Sequence, residues 1–325
     1  MGSSPARPDD GARHGGGGGL GPLGRPRWWG WIAVGLGLAL IAAAVIVVWR
    51  EQDQVAMAIG AMRDPSLPYI TLLLGGVVAN LLLTSLLFSL LISRYGRVGL
   101  LEMQALIASA TLVNFLPLRP GLFGRIAYHK AVNRILAVHS AKTIVQASVI
   151  SVSIVSYLGL VVAVSGLLGI SLFYGAAAPI PILLLGTTLP RLRIWAAATG
   201  LRYLEVFVWA LRYHAAFALI GSPIPPHGAL AFACISMMAT MLPFVSNGLG
   251  LREWAIGLAA PFLTEYVLEM GITAELVNRA AEIVVVVILG LAGLGWLGHR
   301  RRHYSMRGLE REGEEHDPRE QNAAG

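Results

Sequence analysis

Charge is scarce in this sequence. Only 13% of its 325 residues are Asp, Glu, Lys or Arg, against 55% hydrophobic, where an ordinary soluble domain carries about 25% charge. So little charge cannot cover a soluble surface, which points to a polytopic membrane protein. Cysteine is nearly absent. Cys234 stands alone in an apolar run, which excludes an intrachain disulfide and a cysteine-built metal site and reads as a small packing residue. Lysine is nearly absent as well: Lys130 and Lys142 are the only two, so the net charge of +7 is mostly arginine. In a membrane protein that excess reads as cytoplasmic loop charge rather than a nucleic-acid surface. There is no HExxH, no Gly-x-Ser-x-Gly, no P-loop and no dinucleotide fingerprint. The glycine run at Gly15–Gly19 lacks a following Lys-Ser/Thr, so no cofactor is expected.

Long apolar runs are what the sequence has. Residues 1–27, rich in Gly, Pro and Arg, read as a disordered cytoplasmic tail. Trp28–Trp49 is long enough to span a ~30 Å hydrocarbon core and reads as a retained anchor rather than a signal peptide. Further runs are Leu67–Ser93, Thr143–Leu167, Gly169–Leu189, Tyr203–Ile220 and Leu276–Leu297. Asn80 and Thr84, one turn apart in the first of these, suit a hydrogen bond to another helix. The membrane part is expected to be residues 28–298, with a polar cytoplasmic tail over 299–325. The expectation is an all-α helical bundle of six to eight transmembrane helices. Arginines and lysines in short loops fall on one side if the termini are cytoplasmic and six spans are complete, or eight if one broken segment crosses twice.

Two stretches interrupt the pattern. "LPLRPGLFGR" (Leu116–Arg125) and "LPFVSNGLGLR" (Leu242–Arg252) each run Leu-Pro, Gly-Leu, Arg. Short, Pro-interrupted pieces at membrane depth read as re-entrant or broken elements, because non-helical backbone there must be buried or face a wet cavity. Their echo, one per half, is the pointer to an inverted repeat with a site near the midplane. Gly121, Gly248 and Gly250 would let backbone approach closely or adopt positive φ. Arg119, Arg125 and Arg252 would offer guanidinium forks to phosphate or carboxylate near a helix start. Arg119 and Arg125 read equally as arginines at the cytoplasmic edge, and Arg252 with Glu253 as a pair closing a turn. Arg212, His214, Glu205, Arg279 and Glu282 put ionisable groups inside apolar runs, either as a pathway or as buried pairs. His214 reads as a helix-packing residue.

The second stretch, continued to "LPFVSNGLGLREW", resembles the signature of the flippase-like family, the lysylphosphatidylglycerol synthase transmembrane region. Leu242, Pro243, Gly248, Leu249, Gly250, Arg252 and Glu253 match, while Ser246 and Asn247 stand where Pro and Gly are usual. The first stretch resembles the family's earlier motif at Pro117, Arg119, Gly121, Arg125 and Tyr128, with Leu122 where an acid is common. The resemblance implies an inner-membrane protein of lipid-translocation type. It implies membrane lipids with anionic or glycosyl head groups as partners, alongside lipid-biosynthesis enzymes. Contacts with Arg119, Gly121, Arg125, Arg212, Asn247, Gly248, Gly250, Arg252, Glu253 and Glu282 are expected, with Glu253 orienting Arg252 and Glu282 balancing Arg212. The alternative is a membrane-embedded lipid transferase or an accessory subunit of a lipid-modifying enzyme, for which His129 and His139 would be the available groups.

Overall fold

A computed structural model describes residues 66–115, 119–241, 248 and 250–314, with side chains as far as residue 300. The expected span Trp28–Trp49, the tail 1–27, the stretches 116–118 and 242–247 with Asn247, Leu249, and residues 315–325 lie outside it. Every described element is a helix. The helices are α1 (Leu67–Ile92), α2 (Leu100–Val113), α3 (Pro120–Ala131), α4 (Ala137–Leu168), α5 (Leu172–Ala177), α6 (Pro179–Thr188), α7 (Arg193–Leu219), α8 (Pro226–Met241), α9 (Leu251–Leu263) and α10 (Leu268–Glu314).

Local chemistry sets the helix ends. Proline occupies the first turn of α1, α3 and α6, where its missing N–H costs no intrahelical bond. α4 ends at Gly169 in the left-handed region (φ 65°), the conformation a C-terminal glycine adopts without strain. α9 starts after Gly250 (φ 77°). Among the described residues four helices are long and apolar enough to cross a membrane: α1, α4, α7 and the Leu268–Arg300 part of α10. Their outward faces carry exposed Leu82 and Leu86, Val145 and Val149, Leu204 and Leu211, and Val284 and Ile288. Water would penalise such faces and lipid does not, so the chain is a helical membrane protein.

Several expected boundaries move. The run Gly169–Leu189 is not one helix but α5 and α6, divided at Ala178–Pro179, because a proline there cannot continue the backbone ladder. α7 begins at Arg193, so Arg202 is a helical residue and not loop charge. The last helix starts at Leu268, a turn and more before the apolar run, and continues to Glu314, so the expected C-terminal tail begins as helix.

α2 and α8 have 14 and 16 residues. At 1.5 Å per residue they reach only about 21–24 Å, short of a ~30 Å core. Each is followed by a break and a second short helix, α3 with 12 residues and α9 with 13. The long helices around them match too: α1 and α7 have 26 and 27 residues. Packing repeats the pattern. α1 lies on α7, while α2 packs on α10 as α8 packs on α4. α1 touches α4 as α7 touches α10, and α1 touches α10 as α7 touches α4. Exchanging α1–α4 for α7–α10 therefore maps the α1–α7 pair onto itself and each of the others onto its counterpart, with α5 and α6 as the connection.

Candidate functional site

The bundle interior holds a charge network that α7, α9 and α10 build between them. On α10, Glu275, Asn278, Arg279 and Glu282 follow a 3-4-7 spacing and share one face. Arg252, in the first turn of α9, reaches Glu275 (Nη2–Oε1 2.8 Å) and Glu282 (Nη1–Oε2 2.9 Å). Arg212 of α7 donates from Nε and Nη2 to Asn278 Oδ1 at 3.1 and 2.8 Å, and its Nη2 lies 3.4 Å from Glu282. Arg279 donates to Glu253 at 3.1 Å and to the Gly248 carbonyl at 3.3 Å. Tyr213 donates to Glu275 at 2.6 Å and Asn278 to the same carboxylate oxygen at 3.2 Å. Trp209 lies beneath both guanidiniums, 4.0 Å from Arg212 and 4.9 Å from Arg252. Asn80 sits at the midpoint of α1. With its amide oxygen turned toward them, it accepts from Arg212 Nη1 (3.1 Å) and Trp209 Nε1 (2.8 Å). Arg212, Arg252 and Arg279 are thus matched by Glu253, Glu275 and Glu282, and all six are buried.

Small residues allow this closeness. A Cβ at Gly76 of α1 would come within 2.6 Å of Arg212 Cγ, so glycine lets the Arg212 stem lie across α1. Gly248 (φ 69°) would bring a Cβ within 2.9 Å of Arg252 Cδ. Gly121 sits where a Cβ would lie 2.1 Å from the Ala110 carbonyl of α2.

Beside the network lies a cavity of about 250 Å³, walled by α1, α2, α4, α7, α8 and α10. Asn80, Thr84, Arg202, Glu205, Arg212 and Glu282 line it, with Thr111, Ser151 and Thr240 adding hydroxyls. Its volume equals on the order of eight waters. A second ion pair lines it as well, Arg202–Glu205 at 2.6 Å, and Thr84 donates to Glu205 at 3.0 Å. Arg119 reaches over to the cavity rim and donates to the carbonyl of Thr240 near the end of α8. Arg119 thus ties the start of α3 to the end of α8, and does so from a left-handed backbone (φ 49°), a strained state that surrounding contacts must hold.

The expected site residues sort into three places. Arg212 and Glu282 line the cavity, as does Glu205. Arg252, Glu253, Gly248 and Gly250 belong to the charge network and the turn before it. Arg119 ties the start of α3 to the end of α8, while Gly121 and Arg125 wall a separate crevice between α2, α3 and α10. Three expectations need correction. Glu253 orients Arg279, not Arg252, because the Arg252 fork already grips two carboxylates on α10. Those carboxylates also occupy the position an external anion would need, so Arg252 is an internal strut. The close approaches at Gly121 and Gly248 are to the chain's own Ala110 carbonyl and Arg252 stem rather than to a ligand. His214 is a packing residue, as expected: it meets the Ile224 carbonyl at 3.2 Å and the Tyr69 ring edge-on. His129 and His139 both lie on helices. The first is buried on α3 beside Asn133, and the second stacks on Tyr95 at 4.3 Å.

Sequence reasoning missed Glu275, Asn278, Tyr213, Trp209, Gly76 and Arg202. The 3-4-7 polar spacing on α10 was a readable signal for the first two, although starting that run at Leu276 left Glu275 outside it. Trp209, Tyr213 and Gly76 carry no polar periodicity, and only the fold brings them to the site. Comparison with protein-family models, with curated proteins and with solved structures gave no match.

Proposed function

We propose that the chain moves the polar head group of a membrane lipid between leaflets of the cytoplasmic membrane, with the head group in the central cavity and its tails in lipid. The observation that carries this reading is a polar cavity at the mid-depth of helices long enough to span a bilayer, walled by both halves of the bundle. Ionisable residues at that depth mark pathways far more often than they add stability. Paired charges of both signs beside several hydroxyls suit a zwitterionic or hydroxyl-rich, glycosyl-type head group. The matched halves support an inverted repeat, in which α2–α3 enters from the cytoplasmic face and α8–α9 from the outer face. The reading takes six spans, with α5–α6 as a kinked crossing and both termini cytoplasmic. The resemblance of the two broken motifs to the flippase-like family favours the same activity.

The test is leaflet exchange of labelled glycolipid, phosphatidylglycerol and phosphatidylcholine in proteoliposomes. Exchange of at least one of them above protein-free vesicles, lost in Glu205→Gln with the protein still folded, supports the proposal. Rates equal to empty vesicles for all three reject it. Conversion of a lipid to a product would replace it with the transferase reading.

A further inference from the structure

Arg125 and Arg252 occupy corresponding places in the two repeating units: each follows a Leu-Pro break and a Gly-Leu, and each sits on the short helix after it. Both are buried, and both rest on an aromatic ring of the preceding long helix, Arg252 on Trp209 of α7 and Arg125 on Phe88 of α1 (3.7 Å to the ring centre). They differ in their counter-ions. Arg252 has two carboxylates on α10, the helix that follows it. The corresponding helix in the first unit, α4, contains no Asp or Glu, and neither do α1 and α3. Glu102, the one acid of α2, is taken by Arg300 (3.0 Å), Tyr128 and Asn133. Among the described residues no ion pair or hydrogen bond reaches the Arg125 guanidinium, and its Nε is buried without a partner. A ring face offsets only a small part of what an ion loses on leaving water. A buried lone cation calls for an anion that the described residues do not supply.

The surroundings say what kind. Arg125 forms part of the wall of a cavity of about 300 Å³ between α2, α3 and α10, whose other side is apolar, with Leu106, Val113, Leu294 and Leu297. The first turn of α3 lies on the same wall at Gly121, and the positive end of a helix dipole favours an anion. Gly124, one residue before Arg125, leaves open space where a side chain would stand. We propose that this crevice binds an anionic membrane lipid, its phosphate on Arg125 and the start of α3, and part of an acyl chain against the leucines. The site goes beyond the translocation reading and stands without it, because binding is measured in the absence of transport.

The experiment uses the full chain, purified in detergent and stripped of lipid. It is titrated with phosphatidylglycerol, with phosphatidylcholine of the same acyl chains, and with inorganic phosphate. Thermal unfolding and native mass spectrometry report binding. Phosphatidylglycerol is expected to bind and raise the Tm, with little effect from the other two. Arg125→Gln is expected to weaken phosphatidylglycerol binding about tenfold or more. Without lipid that variant should be at least as stable as the wild type, since a lone buried charge has gone. Equal binding of the two lipids, or an unchanged affinity in Arg125→Gln, overturns the proposal. So does equal stabilisation by inorganic phosphate, which makes the ligand a free anion. A glutamine variant that unfolds where lipid-free wild type stays folded also overturns it, because Arg125 would then have its partner inside the chain.

Discussion

Arg252 has its guanidinium fork clamped between Glu275 and Glu282 and its stem pressed on Gly248. Removing one member of such a buried set leaves charges without partners, which costs about 3–5 kcal/mol. Arg252→Ala is therefore expected to lower the Tm sharply in detergent, and loss of function in that variant would report unfolding, not a lost ligand contact. Arg252→Lys should rescue little, because a point charge cannot bridge two carboxylates as a planar fork does. A thermal melt no different from wild type would contradict the strut role. Thr84→Val behaves oppositely. It removes one donor from Glu205 in a polar cavity and should cost about 1 kcal/mol of stability or less. If the cavity is the pathway, leaflet exchange should fall about tenfold, because the lost hydroxyl is one the head group would meet at the barrier, a loss of about 1.4 kcal/mol there. At this scale the sequence was informative where polarity breaks an apolar run: Asn80, Thr84, Arg212 and Glu282 all reach the site. It was silent on partnership. Which glutamate meets which arginine depends on how α7, α9 and α10 are set against each other, and Arg202 looked like loop charge until α7 was seen to begin before it.

The helices depend on glycines whose neighbours differ by one residue. Gly76 lies under the Arg212 stem, and an added methyl group would meet Cγ at 2.6 Å, whereas Gly75 has nothing within 4 Å. That stem cannot swing aside freely, because Asn278, Glu282 and Asn80 hold its other end. Gly76→Ala is expected to cost about 1–3 kcal/mol by overpacking. Gly75→Ala should be neutral or slightly stabilising through helix propensity. Equal melting temperatures for the two would show that α1 and α7 slide apart at little cost. The breaks themselves were legible, since Pro-Gly pieces of low helical propensity inside membrane-depth sequence leave few alternatives. The division of Gly169–Leu189 into α5 and α6 was not anticipated, although Pro179 and Pro181 stand in it, because the run's apolar length outweighed its prolines. The small-residue face of α10 resolves in the same way. Gly290 and Gly293 take the close approach of α2, while Gly295 faces open space.

In the whole molecule, the two halves share one plan, and its orientation can be measured. If α1–α4 and α7–α10 are inverted, the loop before α2 and the loop before α8 lie on opposite faces of the membrane. If the halves are parallel, both loops lie on the same face. Arg97 is exposed on the first of these loops and His227 in the first turn of α8, just past the second, and neither joins the charge network. Cys234 is buried in α8, so Cys234→Ala gives a background free of thiols at the cost of one small packing group. Single Arg97→Cys and His227→Cys variants are then exposed to a membrane-impermeant maleimide, first in intact cells and then in inverted vesicles. The expected result is labelling of position 97 from the cytoplasmic side alone and of position 227 from the outer side alone. Labelling of both from one side would leave the packing symmetry intact but turn its axis along the membrane normal. In that arrangement α2 and α8 would enter from the same leaflet, and the cavity between them would have one mouth where alternating exposure to two leaflets requires two.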